Sequence, residues 1–181
     1  MTIHQRIQDF YLDGADEHHR NRSWEHCYRY FRGARPGGPA ADRDHAALQL
    51  AFYLASWGMY RNRFLLQHTY TVHRGVIDLI GDPRFTALWG ADFGASETDG
   101  QLVPTVRKLI DGVRQAYKPF APAGSAQPTD TLITKVILGT FGCLPACDRY
   151  FRDGFKSEGF NYSSVNDRFV ECSRLLSSAS G

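Results

Sequence analysis

Strand signals are scarce in this chain. No run alternates apolar and polar residues convincingly, and no Asn-Gly or Asp-Gly pair joins two β-rich runs. Long apolar runs are absent as well. The longest, Leu50 to Tyr60, is far too short for a bilayer and is followed by Arg61 and Arg63. Cysteine is sparse, with Cys27, Cys143, Cys147 and Cys172 only, and the N-terminal MTIHQRIQDFYLDG is polar and amphipathic rather than signal-like. Reduced thiols in the cytoplasm are the expectation. A phosphate-binding Walker loop, a dinucleotide fingerprint, a Gly-x-Ser-x-Gly elbow, a zincin HExxH and an EF-hand loop are all missing. Those absences argue against nucleotide hydrolysis, dehydrogenase and hydrolase chemistry, and no cofactor is expected.

What is present is enough for one helical domain over residues 1–181. Hydrophobic residues make up 43% and aromatics 13%, sufficient for a sizeable core. The formal net charge is only +2, too mild to require a nucleic acid or a membrane. Yet 17 of the 21 basic residues are arginine, the better partner for phosphates and aromatic rings. GC-rich coding gives the same bias.

Apolar spacing at the helical period predicts helices over 3–12, 24–32, 45–58, 101–118, 130–138 and 145–156, with another headed by Ser164. Ser23 is the expected cap of the second, and Asp42 or Asp44 of the third. The third is apolar nearly all round and is placed in the middle of a bundle. The stretch from Thr71 to Ile80 and a short helix from Pro83 complete the pattern. Segments 33–40 and 118–128 are read as flexible loops, and 90–100 as a loop. The resulting fold class is all-α, a compact bundle of about seven or eight short helices.

Chemistry concentrates in Thr140-Phe-Gly-Cys-Leu-Pro-Ala-Cys-Asp-Arg-Tyr-Phe151. Gly139 and Gly142 suit a helix end and a tight reversal. Pro145 suits a first helical position, with Asp148 in the first turn. A helix start also lowers a thiol pKa, so Cys143 or Cys147 could be reactive there. Asp148 is the candidate base or electrostatic stabiliser. Lys135, Arg149, Tyr150 and Arg152 are the candidate nucleic-acid contacts, holding phosphate or stacking on a base. A structural reading competes with this: a helix corner wants glycine, proline and an acid for its own sake.

Phe52-Tyr-Leu-Ala-Ser-Trp-Gly-Met-Tyr-Arg61, with Phe64-Leu-Leu-Gln67, resembles one signature of a family of uncharacterised bacterial proteins. Leu138 to Phe151 resembles a second signature of that family, which often has an aromatic where this chain has Cys147. The resemblance implies a defined fold and no particular activity. Arg61 and His68, with six residues between them, resemble the Arg/His motif of HEPN ribonucleases, which cut RNA without metal. That resemblance implies catalytic roles for Arg61 and His68. The glycine corner followed by Asp148 is faintly similar to helix-hairpin-helix DNA glycosylases, but the Gly-x-Gly hairpin is absent and Asp148 follows the glycines too closely. His18, His19, His26 and Cys27 cluster without a standard zinc spacing, so no metal is expected.

The leading expectation is a nucleic-acid-associated helical domain of bacterial defence or DNA maintenance. The alternatives are a metal-independent nuclease using Arg61 and His68, and a structural or protein-interaction module. A homo-oligomer is compatible with either alternative, and no membrane partner is expected.

Overall fold

A computed structural model describes residues 12, 16–33, 42–61, 63–91, 102–121, 127–157 and 165. Among them are seven α-helices: α1 (Arg22–Gly33), α2 (Arg43–Ser56), α3 (Arg63–Leu66), α4 (Arg74–Ile80), α5 (Val103–Tyr117), α6 (Asp130–Thr140) and α7 (Arg149–Ser157). Four 3-10 turns, Met59–Arg61, Tyr70–His73, Pro83–Leu88 and Lys118–Phe120, join or extend them. The described residues contain no strand, and the all-α expectation holds. All but Leu12 of the expected helix at 3–12, and all but Val165 of the one after Ser164, lie outside the described residues, as do 34–40, 92–100 and 122–126 of the expected loops.

Local chemistry explains most boundaries. Asp42 accepts from the Asp44 amide and caps α2, and Thr129 accepts from the Leu132 amide and caps α6. Gly58, at φ 75°, ends the α2 exit. Ser23 does not cap α1 as expected. It sits inside the helix, buried, and donates to the Arg20 carbonyl at 2.7 Å, because the turn at 16–21 already leads into the helix one residue earlier.

α2 and α6 form the centre. α2 packs on α1, α4, α6 and the Tyr70–His73 turn, while α6 packs on α1, α2 and α5. Along α6, every residue from Leu132 to Ile137 is buried, as are Gly139 and Thr140. Its two buried threonine hydroxyls return to carbonyls of their own helix: Thr134 to Asp130 and Thr140 to Val136, both at 2.8 Å. α2 is less enclosed than its composition suggests. Leu50, Tyr53 and Leu54 are buried, but Leu48 and Phe52 are 47% and 65% exposed, which leaves an apolar stripe on the outside.

The closest approach in the centre is between α2 and α6. A β-carbon built on Gly139 would run into the ring of Tyr53, which is itself fully buried. Overpacking of this kind costs about 2 kcal/mol. Gly139→Ala should therefore lower stability by about 2 kcal/mol in urea unfolding, whereas Gly33→Ala, where nothing lies within 4 Å, should not lower it. Equal stability of the two variants would contradict the packing described.

Candidate functional site

The stretch after α6 is not a helix start. Gly142, at φ 72°, turns the chain, and residues 143–147 run without helical structure along the side of α6. Two threonines of α6 hold them there. Thr131 Oγ1 donates to the Cys147 carbonyl, and the Cys147 amide donates to Thr134 Oγ1, each at 2.8 Å. This latch moves the next helix from the expected Pro145 to Arg149. Asp148 becomes the residue before the helix rather than part of its first turn. Its Oδ1 accepts from the Phe151 amide at 3.1 Å, and its carbonyl accepts from the Arg152 amide. That is the geometry of an N-cap.

The corner is closed by aromatic rings. A β-carbon on Gly142 would lie 2.6 Å from the Tyr28 ring, so glycine serves both the positive φ and the contact. Tyr28 stacks on Trp24, with centroids 5.7 Å apart and planes at 13°, and the Trp24 indole N–H donates to the Leu138 carbonyl at 3.2 Å. Arg32 lies over the other end of this pair, 5.8 Å from the Tyr28 centroid. Trp24, Tyr28 and Arg32 are spaced four apart on α1 and share one face along its seam with α6, while Arg20 lies in the turn before the helix. Arg20 and Arg32 are exposed and have no carboxylate partner among the described residues. By contrast, Arg22 and Arg29 share Glu25 at 3.4 and 3.6 Å.

Lys135 lies within α6 on the same side. It is only 6% exposed, so it is not the open phosphate contact that its sequence position suggested. Its ammonium sits 5.2 Å from the Trp57 ring centroid and 3.4 Å from the Trp57 carbonyl. Burial pushes its pKa down, Asp148 opposes that, and Arg20 adds to it. Arg20 and Asp148 are thus each within electrostatic reach of Lys135. The remaining candidates are on the surface of α7. Tyr150 is 85% exposed, Arg149 is exposed and pairs loosely with Asp153 at 3.6 Å, and Arg152 is exposed.

Arg61 and His68 have separate partners. The Arg61 side chain lies beside Gly58, while His68 Nε2 donates to the Phe120 carbonyl at 3.1 Å and its ring rests edge-on between Phe64 and Phe120. No hydrogen bond joins Arg61 to His68.

The reactive-thiol reading of the corner does not survive. Cys143 is buried in the 143–147 run, where burial pushes its thiol up to about 12, and Cys147 is fully buried just before the Asp148 cap. Burial also raises Cys27 far above the ordinary thiol value. No three His, Cys, Asp or Glu side chains among the described residues could hold a metal ion together.

Sequence reasoning missed the Trp24–Tyr28–Arg32 row as a unit, although the four-residue spacing was visible. It also missed the two threonines that hold the corner. Comparison of the chain with family models, curated proteins and solved structures found no match.

Two outcomes follow. Asp148→Ala should lower stability by about 1 kcal/mol, and Asp148→Asn by less, as measured by thermal melting, because asparagine also caps. In a Cys172→Ser background, the native protein at pH 8 should react with a thiol reagent only slowly, and three thiols should appear on denaturation. Rapid labelling of Cys143 in the native state would contradict its burial.

Proposed function

We propose that this chain is a nucleic-acid-associated domain that holds single strands along the seam of α1 and α6 and the start of α7. The Trp24–Tyr28–Arg32 row carries this reading: the exposed Arg32 guanidinium lies over one end of a stacked aromatic pair, and the exposed Arg20 sits in the turn that leads into the same helix. Guanidinium groups bind phosphate in a fork, and aromatic faces accept bases without regard to sequence. Tyr150, flanked by Arg149 and Arg152, supplies an open ring near the same corner. A duplex keeps its base faces stacked inside, so an exposed tyrosine favours an unpaired strand. Lys135 has a supporting role, contributing positive potential from beneath the surface. A setting in bacterial defence or DNA maintenance fits such an activity.

Fluorescence anisotropy with labelled single- and double-stranded DNA and RNA at about 50 and 200 mM salt tests the proposal. Single strands should bind more tightly than duplexes, and affinity should fall steeply with salt. Replacing Arg20 and Arg32 together by alanine should weaken binding about tenfold and flatten the salt dependence. Tyr150→Ala should cost about 1–3 kcal/mol of single-strand binding with little change in melting temperature. Absence of salt-sensitive binding at the lower concentration would overturn the proposal.

A second reading has one observation in its favour. Leu48 and Phe52 lie one turn apart and are both exposed, beside the exposed Ala55. Such a stripe suits a protein-interaction module, including a second copy of the chain. Sedimentation of wild type and Phe52→Ser separates this reading from the first, because only an interaction module loses an oligomer in the variant.

A further inference from the structure

His73 is 0% exposed, and both of its ring nitrogens are engaged. Nε2 lies 2.9 Å from the Tyr60 hydroxyl and Nδ1 lies 2.7 Å from the Tyr117 hydroxyl. Tyr117 is also 0% exposed, whereas Tyr60 is half-buried. Burial raises the pKa of both phenols, so both keep their protons at neutral pH. A neutral imidazole adds one more proton. Three protons then serve two hydrogen bonds, and one O–H must point elsewhere.

Two arrangements satisfy the distances. In one, Tyr60 donates to Nε2 and Nδ1–H donates to Tyr117, so the Tyr117 hydrogen is left unbonded in the core. In the other, Tyr117 donates to Nδ1 and Nε2–H donates to Tyr60, so the spare hydrogen belongs to the half-buried Tyr60. Leaving a buried donor unmade is expensive, which selects the second. A protonated imidazole would donate from both nitrogens and would displace the Tyr117 hydrogen into the core. It would also place a charge with no carboxylate against it.

Among the described residues of the neighbouring elements there is no such carboxylate. From α2, Asp44 is engaged by Arg74, and Tyr53 packs on Gly139 and Trp57. From α4, Asp78 is engaged by Arg43. From α5, Tyr117 makes the contact, while Asp111 and Arg114 pair with each other. From the Met59–Arg61 turn, Tyr60 makes the contact and Arg61 lies beside Gly58.

We infer that Tyr60, His73 and Tyr117 form an acid-sensitive latch with one fixed proton order, Tyr117 to His73 Nδ1 and His73 Nε2 to Tyr60. The latch ties the Met59–Arg61 and Tyr70–His73 turns to the end of α5. Burial lowers the His73 pKa from its ordinary 6.5 to about 3. Below about 6.5 an opened latch binds a proton that the closed one refuses, so the closed form loses ground as pH falls. Its advantage shrinks by up to about tenfold per pH unit until the closed form itself protonates near 3. The freed turn follows directly on Trp57 and Gly58, and Trp57 supplies the carbonyl and ring beneath Lys135. Acid therefore loosens the floor of the α6 corner. This inference is independent of the nucleic-acid reading.

Long-range proton–nitrogen correlation on the histidine-labelled protein from pH 8 to 4 tests the proton order directly. The expected result is a His73 ring protonated at Nε2 only, unchanged across that range. A proton on Nδ1, or titration of folded His73 near 6.5, would overturn the inference. Amide hydrogen exchange of residues 59–61 and 70–74, corrected for intrinsic rates, reads the latch itself. Opening should rise towards tenfold per pH unit below about 6.5 in wild type and stay flat in His73→Gln. A flat wild-type profile would also overturn it. If His73→Gln does not fold, the two wild-type measurements still decide.

Discussion

The structure depends on how closely the backbone at the end of α6 is approached by two tyrosine rings. Tyr53 comes from α2 and occupies the space where Gly139 has no side chain, and Tyr28 comes from α1 and does the same at Gly142. Interiors pack to crystal-like density, so a ring lying directly on a backbone leaves few alternative positions for either helix. The two contacts fix α1 and α2 against the same end of α6. They also determine where the Trp24–Tyr28 stack, and Arg32 at its end, stand relative to the 142–148 corner.

The corner explains why glycine, threonine and an aspartate recur there. Glycine allows the approach and the reversal, and Thr131 and Thr134 hold the returning chain by its peptide at Cys147. Asp148 then starts α7 by accepting the Phe151 amide. Each of these is a packing or backbone role. Arg32 on α1 and Arg149, Tyr150 and Arg152 on α7 are exposed, while Lys135 is buried over Trp57. Structural explanation and proposed binding use different atoms of the same corner, and they do not compete.

Much of the bundle was legible in the sequence because helical periodicity reports one buried face. The helices expected at 101–118 and 130–138 are found at Val103–Tyr117 and Asp130–Thr140, although the burial of Thr134 and Lys135 in the second was not foreseen. The start of α7 was misread because Pro145 and the preceding glycines satisfy helix-entry rules locally, while the tertiary latch from two threonines overrides them. α2 was read as enclosed because composition cannot say which side lacks a neighbour, and Leu48 and Phe52 are on that side. The Tyr60–His73–Tyr117 set joins residues from three separate segments, so no spacing rule could have brought them together. The surface candidates Arg149, Tyr150 and Arg152 were readable as a basic-aromatic run, but the row from Trp24 to Arg32 gains its meaning only beside Gly142.

The most direct test of the central claim is photocrosslinking of a thiothymidine-substituted single strand, with the modified residues mapped by mass spectrometry. The account predicts crosslinks at Trp24, Tyr28 or Tyr150, along the seam and the start of α7. Crosslinks confined to the surface around Arg61 and His68, or none above background at low salt, would contradict it.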